Sequence, residues 1–310
     1  MVIRPVDHGI FASSAGGSAG AAYFGGGYTS ATYVTTVDKF DFTDDSRTTL
    51  GTGLSSARYY LAGMANSGTA GYFGGGKDPD TDTVDKFAFS DDSRSTLGTG
   101  LSATNYWLAA MADSGTAGDF GGGNVTAVGE VDTVDKFAFS NDSRTTLGTG
   151  LSAALLGLAG MANSGTAGYF GGGSDPAGKV DTVDKFAFPS DSRTTLGTGL
   201  SADDRWLGAM ANSGTAGYFG GGVAPSAVDT VDKFAFSDDS RSTLGTGLSS
   251  ARYHLAGAAN SGTAGYFAGG NSPQYDTVDK FAFSDDSRST LGTGLSSARY
   301  GLAGMANGNI

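Results

Sequence analysis

The heptapeptide AGYFGGG stands at Ala70–Gly76 and returns at Ala167–Gly173 and Ala216–Gly222. Near copies are AAYFGGG at Ala21–Gly27, AGDFGGG at Ala117–Gly123 and AGYFAGG at Ala264–Gly270. A short aromatic run that stops on a glycine triplet reads as a strand ending where the backbone needs positive φ or a close approach to another chain segment. Six occurrences make it one element of an internal repeat, and a repeat takes precedence over the two-domain prior that length alone suggests.

The segment TLGTGL sets the register. Its first Leu falls at 50, 97, 147, 196, 244 and 291, giving intervals of 47, 50, 49, 48 and 47 residues. That period is the length of a propeller blade. One unit divides into four short runs bounded by Gly, Ser, Asn and Asp: Tyr59–Ala65, the AGYFGG strand, Thr83–Phe89 and Thr96–Leu101. No segment sustains helical periodicity. The expectation is an all-β, six-bladed β-propeller with four antiparallel strands per blade. Small residues (LAGMA) suit a crowded inner strand. Phe87 and Phe89, two apart, share one strand face and are placed to fill the groove of a neighbouring blade.

Composition narrows the function. The net charge of −12 argues against phosphate-mediated nucleic-acid binding and against docking on anionic membranes. No run approaches the length of a membrane span, and the N-terminal residues lack the apolar run of a signal peptide. There is no cysteine, which excludes disulfides and Cys-ligated metals. Fifty-three glycines recur with the repeat and without a Gly-X-Y rule, so the chain reads as neither collagen nor linker.

The aromatic strand with its Gly doublet, the aromatic third strand and the fourth strand leading to SSAR resemble the kelch repeat over nearly the whole chain, with Thr-Leu where kelch repeats carry Trp. The turn Ser90–Leu97 (SDDSRSTL) is similar to the Asp-box of sialidase-type propellers. Its central Asp recurs as Asp45, Asp92, Asp142, Asp191, Asp239 and Asp286, and the resemblance implies a structural hairpin cap. The wording YFGGG, VDKFAF and SRSTLGTGLSSAR resembles repeat proteins encoded by bacteriophages, some of them virion or fibre components. That resemblance implies a place on a particle surface and a non-enzymatic role.

Six units supply seven candidate first strands. The C-terminal GLAGMA (Gly301–Ala306) fits the pattern better than IFASSA (Ile10–Ala15). The C-terminal segment is therefore expected to supply the inner strand of the blade containing AAYFGGG. Residues 1–18 become an N-terminal arm and 19–310 the propeller. If IFASSA serves instead, the C-terminal segment is the surplus one.

Variation between the copies is confined. All length variation falls between the glycine triplet and the next TVDKF, and a second variable spot precedes each inner strand. That spot reads Arg58-Tyr59-Tyr60, Asn105-Tyr106-Trp107, Leu155-Leu156-Gly157, Asp204-Arg205-Trp206, Arg252-Tyr253-His254 and Arg299-Tyr300-Gly301. Strand parity puts both variable spots on one face and the repeated NSGT and SDDSRS turns on the other. Tyr, Trp and Arg concentrated on a surface is the composition of a recognition site. The bland alternatives are tolerated loop drift and an aromatic plug in the axial channel.

The candidate ligand-binding residues are the Tyr, Trp, Arg, Asn, Asp and His residues of those triplets. The expected function is a non-enzymatic recognition module on a virion surface, binding a glycan or host-surface polymer through the variable face. The alternative is a capsid- or tail-decorating protein that contacts other virion proteins. No cofactor, metal, nucleic acid or membrane insertion is expected. Galactose-oxidase-like chemistry needs Cys and two suitable His. A sialidase-like site needs three converging Arg and a Glu-activated Tyr, whereas the one Glu, Glu130, lies in a variable loop.

Overall fold

The structure, a computed structural model, describes residues 20–308. Six four-stranded antiparallel sheets surround one axis, and no helix occurs among the described residues. In blade 2 the strands run outward from the axis as Ala62–Asn66, Ala70–Gly74, Val84–Ala88 and Arg94–Thr96. Blades 3 to 6 repeat this order, beginning at Ala109–Asp113, Ala159–Asn163, Gly208–Asn212 and Ala256–Asn260.

Blade 1 is composite. Its outer three strands are Ala21–Gly25, Val37–Asp41 and Arg47–Thr49, and its inner strand is Ala303–Asn307 from the C-terminal end. The register runs from Ala21↔Asn307 to Gly25↔Ala303. The C-terminal segment closes the ring, as its pattern predicts. The proposed arm (1–18) and Ile10–Ala15 lie outside the described residues.

Two predicted strand boundaries shift. The inner strand begins at Ala62 rather than Tyr59, because Tyr60 has φ 58° and its N–H bonds across to Gly301 O at 2.7 Å. The outer strand is Arg94–Thr96 rather than Thr96–Leu101. Leu97 N still reaches Val84 O at 2.9 Å, but the GTG segment then curls inward and Leu101 N bonds Asp82 O at 2.8 Å. Gly100 permits that curl, since a Cβ there would stand 2.5 Å from the Asp82 carbonyl oxygen.

The apolar core is divided into six seams between blades, one buried cluster in each. The seam between blades 1 and 2 buries Tyr23, Val37, Leu61, Phe73, Phe87, Phe89 and Met305. Phe87 and Phe89 do share a face, and Phe73 lies against Gly25 of the preceding blade, where any side chain would collide with its ring. Glycines of the triplet hold the left-handed conformation that ends the second strand, as at Gly75 (φ 68°) and Gly76 (φ 121°).

Polar staples cross the same seams. Tyr72 Oη donates to Asp142 Oδ1 at 2.9 Å, and Lys86 Nζ to Asp142 Oδ2 at 2.8 Å, both from blade 2 to the turn of blade 3. The same turn position is occupied by Asp45, Asp92, Asp191, Asp239 and Asp286, each taking a Lys from the preceding blade. All six Asp have φ between 52° and 58°. Their role is structural but differs from a hairpin cap: the turn N–H is accepted one residue earlier, for example Ser93 N by Asp91.

On the same side, the NSGT turns are stitched together. Ser67 N bonds Ser114 Oγ, Ser114 N bonds Ser164 Oγ, and Gly115 N bonds Asn66 Oδ1. The repeated Lys and turn Asp, with the Ser and Asn of the NSGT turns, thus each contact a neighbouring blade.

Candidate functional site

The opposite face carries the variable segments, and each triplet before an inner strand assigns its three positions different tasks. The middle residue forms an isolated bridge to the segment just after the glycine triplet: Tyr59↔Lys77, Tyr106↔Asn124, Leu156↔Ser174, Tyr253↔Asn271 and Tyr300↔Tyr28. In blade 5, Val223 N bonds Arg205 O at 3.1 Å in the same place. Both variable spots therefore meet on one face, as strand parity predicts.

The third residue faces the axis. Tyr60, Trp107, Gly157, Trp206, His254 and Gly301 all have positive φ, between 54° and 69°. Their backbones form a closed circuit of hydrogen bonds. Tyr60 N donates to Gly301 O (2.7 Å), Gly301 N to His254 O (2.9 Å) and His254 N to Trp206 O (2.7 Å). Trp206 N donates to Gly157 O (2.6 Å), Gly157 N to Trp107 O (2.8 Å) and Trp107 N to Tyr60 O (2.9 Å). Each blade is thus locked to both neighbours at the mouth of the channel. Above this ring lies a cup lined by Tyr60, Trp107, Trp206 and His254, with a cavity of about 70 Å³. That is room for a few waters, at roughly 10–15 Å³ each.

Side chains of the middle and third positions make one continuous aromatic surface. Tyr60 lies 5.0 Å from Trp107 and 4.7 Å from His254 between ring centroids, and Trp206 lies 4.5 Å from His254. Tyr106 packs on Trp107 (4.9 Å), Tyr253 on Trp206 (5.6 Å) and Tyr300 on His254 (5.8 Å). Tyr59 continues the surface to Tyr33 (4.9 Å) and Tyr28 (6.1 Å). The guanidinium of Arg205 sits over the Trp206 ring at 4.0 Å, and Lys77 over Tyr106 at 4.2 Å.

Most of these rings are half-buried, while Tyr106 and His254 are buried. Burial, with Arg205 nearby, lowers the His254 pKa to about 3, so the imidazole is neutral. Nε1 of Trp107 and of Trp206 is buried without a hydrogen-bond acceptor among the described residues. Orphaned donors of this kind are uncommon in folded proteins and need a reason.

The first position overturns part of the sequence reading. Arg58, Arg252 and Arg299 are candidate ligand contacts by composition, yet each is 0% exposed. Arg58 Nη2 pairs with Asp85 Oδ2 at 2.9 Å and reaches Phe73 O at 3.4 Å. Arg252 pairs with Asp279 and Arg299 with Asp38, also at 2.9 Å. Burial alone would raise the Asp38 carboxyl, but Arg299 and the donors from Thr49 and Ser296 outweigh it and hold the pKa below its ordinary value. These three Arg hold the blade interior together and do not converge on the axis.

Asn105, at the same position, donates to Gly122 O at 2.8 Å, and Asp204 is also buried. The face accordingly keeps Tyr59, Tyr60, Tyr106, Trp107, Arg205, Trp206, Tyr253, His254 and Tyr300. It adds Tyr28, Tyr33 and Lys77, which the sequence signals only as occupants of variable loops.

Among the described residues no cluster of His, Asp and Glu suited to a metal ion occurs. No protein-family model matches the chain, and no curated protein matches it.

Proposed function

We propose that this propeller is a recognition module that binds a glycan or a comparable surface polymer on its aromatic face. The observation that carries the reading is the continuous ring surface from Tyr28 to Tyr253, capped by Arg205 over Trp206. Tyr and Trp bury large area at little entropic cost and stack on the apolar faces of sugar rings, while Arg and the tyrosine hydroxyls supply directed hydrogen bonds. The shallow cup favours a ligand that lies across the face over one swallowed whole. The likeness of the repeat wording to bacteriophage repeat proteins supports reading the module as a virion-surface component, and the alternative in that setting is a decorating protein docked on other virion proteins through the same rings.

A glycan array separates the two readings. Wild-type protein is expected to bind a defined set of glycans, and Tyr106→Ala/Trp107→Ala to lose them. Absence of any glycan signal, together with a coat or tail protein covering these rings in the particle, would favour the decorating role.

A further inference from the structure

Blade 5 departs from its sisters at one buried point. In blades 1, 2 and 6 a guanidinium fills the space beside the third-strand Asp: Arg299 beside Asp38, Arg58 beside Asp85, Arg252 beside Asp279. Each also donates to the carbonyl of the second-strand Phe: Phe24, Phe73 or Phe267. In blade 5 the corresponding residues are Asp204, Asp232 and Phe219. A carboxylate stands where the cation stands elsewhere.

The space of the missing cation is not refilled. A cavity of about 80 Å³ remains, lined by Asp204, Asp232, Phe219, Ser201 and the Ala224–Val228 loop. Asp232 keeps the bonds its sisters have, from Ser201 N (2.7 Å), Ser201 Oγ (2.8 Å) and Thr243 Oγ1. It lacks only the inner arginine; Arg241 Nη1 of the outer strand remains 3.7 Å from its Oδ1, as the equivalent outer-strand arginines do in the sister blades. Asp204 is 7% exposed, and Val223 N donates to its Oδ1. Two buried carboxyl groups therefore line one cavity beside Phe219, in the place where sister blades hold a guanidinium, and burial raises the Asp204 pKa to about 7.

Other copies show how the same position is filled without a cation. Blade 4 puts Leu155 there, and blade 3 puts Asn105. Blade 5 combines an acidic residue at this position with a cavity. Buried like charges are costly unless a cation compensates them. The planar fork of a guanidinium matches the geometry that three sister pockets already display.

We propose that the Asp204–Asp232 pocket of blade 5 receives an external guanidinium group, completing from outside the ion pair that blades 1, 2 and 6 complete from within. The group comes either as a small free guanidinium compound or as the arginine side chain of a partner polypeptide. This site is separate from the aromatic face, and its occupancy does not depend on the glycan reading.

The test is thermal unfolding and isothermal titration of the full chain with methylguanidinium and, separately, with N-acetyl-arginine amide, each at millimolar concentration. Wild type is expected to bind with one site per chain and to gain thermal stability. Binding of the arginine amide at least as tight as that of methylguanidinium assigns the source to a polypeptide, and tighter methylguanidinium binding assigns it to a small molecule. Asp204→Asn should weaken binding at least tenfold. Asp204→Arg should abolish it and raise the midpoint without ligand, because it rebuilds the sister pocket internally. Should Asp204→Arg fail to fold, Asp204→Leu, which copies blade 4, serves in its place and should also abolish binding. The proposal is overturned by no binding to wild type, by equal binding to Asp204→Asn, or by equal stabilisation from calcium or methylammonium.

Discussion

Ala22 and Ala258 share the seam between the last blade and the first, where the other five seams set a glycine against a methionine. Gly71 lies against Met305, Gly118 against Met64, Gly168 against Met111, Gly217 against Met161 and Gly265 against Met210. A Cβ on any of these glycines would overlap the methionine sulfur. The single blade that gains a methyl at this position faces the single inner strand that gives up its methionine. Near-identical copies have thus compensated a change of volume across one interface, as close packing requires.

That compensation predicts strong coupling at a standard seam. Gly71→Ala should overpack against Met305 and cost about 1–3 kcal/mol. Met305→Ala should leave a hole and cost about 2–5 kcal/mol. The double variant should be more stable than the sum of the single effects implies, by about 1 kcal/mol or more. Urea unfolding of the four proteins measures it, and strict additivity would contradict the packing account.

Blade 3 lacks the tyrosine staple. Asp119 occupies the position of Tyr72, is 2% exposed, and its Oδ1 has no hydrogen-bond partner among the described residues. Asp119→Tyr should supply the missing hydroxyl donor to Asp191 and a ring to pack on Phe188, as Tyr72 packs on Phe139 at 5.2 Å. The expected gain is about 1–3 kcal/mol, the cost of a buried unsatisfied polar group. A lower unfolding midpoint in the variant would show that the seam has closed around the smaller residue.

The same Asp119 makes stability depend on pH in an unusual direction. Burial raises its pKa to about 7, against the attraction of Lys136. The folded state then holds a proton that the unfolded chain, titrating near 3.8, has released. This contribution is full below about pH 4 and is lost as pH rises towards 7, by up to about 1.4 kcal/mol per pH unit. His254, depressed to about 3, acts oppositely below 6.5, because the unfolded chain takes up its proton first. Subtracting the stability of Asp119→Asn from that of wild type isolates the Asp119 term. The difference should move in favour of wild type as pH falls from 7.5 to 5, and a flat difference would contradict the buried, unpaired state.

Arg299 serves as a test of the reassigned arginines. Arg299→Ala leaves the buried Asp38 with only the longer contact to Arg47, 3.7 Å away, and should cost about 3–5 kcal/mol. Adding Asp38→Asn should recover part of that loss. Ligand binding by whatever fraction remains folded should be unchanged. A stable Arg299→Ala protein with impaired binding would return this residue to the recognition face.

The wheel is legible in the sequence because its determinants are local and repeated: aromatic strand runs, glycines that end strands, and a blade-length period without helical patterning. The choice of the C-terminal segment as closing strand was legible because GLAGMA keeps the small-residue pattern that close neighbours on the axis demand. The division of labour within the triplets was not. Arg58, Tyr59 and Tyr60 are consecutive, and composition treats them alike. The positive φ of Tyr60 and the inward turn of Arg58 depend on a carbonyl from another blade and an aspartate 27 residues downstream. Tyr28 and Tyr33 join the face only because the variable loop folds back over Tyr59, a proximity that strand patterning does not encode. The outer strand starts two residues and ends five residues earlier than its pattern predicts for a similar reason, since the Gly-Thr-Gly curl is set by the Asp82 carbonyl.

Both tryptophans of the chain, Trp107 and Trp206, stand on the proposed recognition face, so selectively excited tryptophan emission reports that face alone. The decisive measurement is a titration of the glycan that wild-type protein selects from an array, followed by tryptophan emission and repeated on Trp206→Ala. The account predicts a saturable emission change on wild type and an affinity about 30-fold weaker on the variant, the ~2 kcal/mol of a hot-spot aromatic. Saturable glycan binding that leaves the tryptophan emission unmoved and survives Trp206→Ala at full affinity would contradict it.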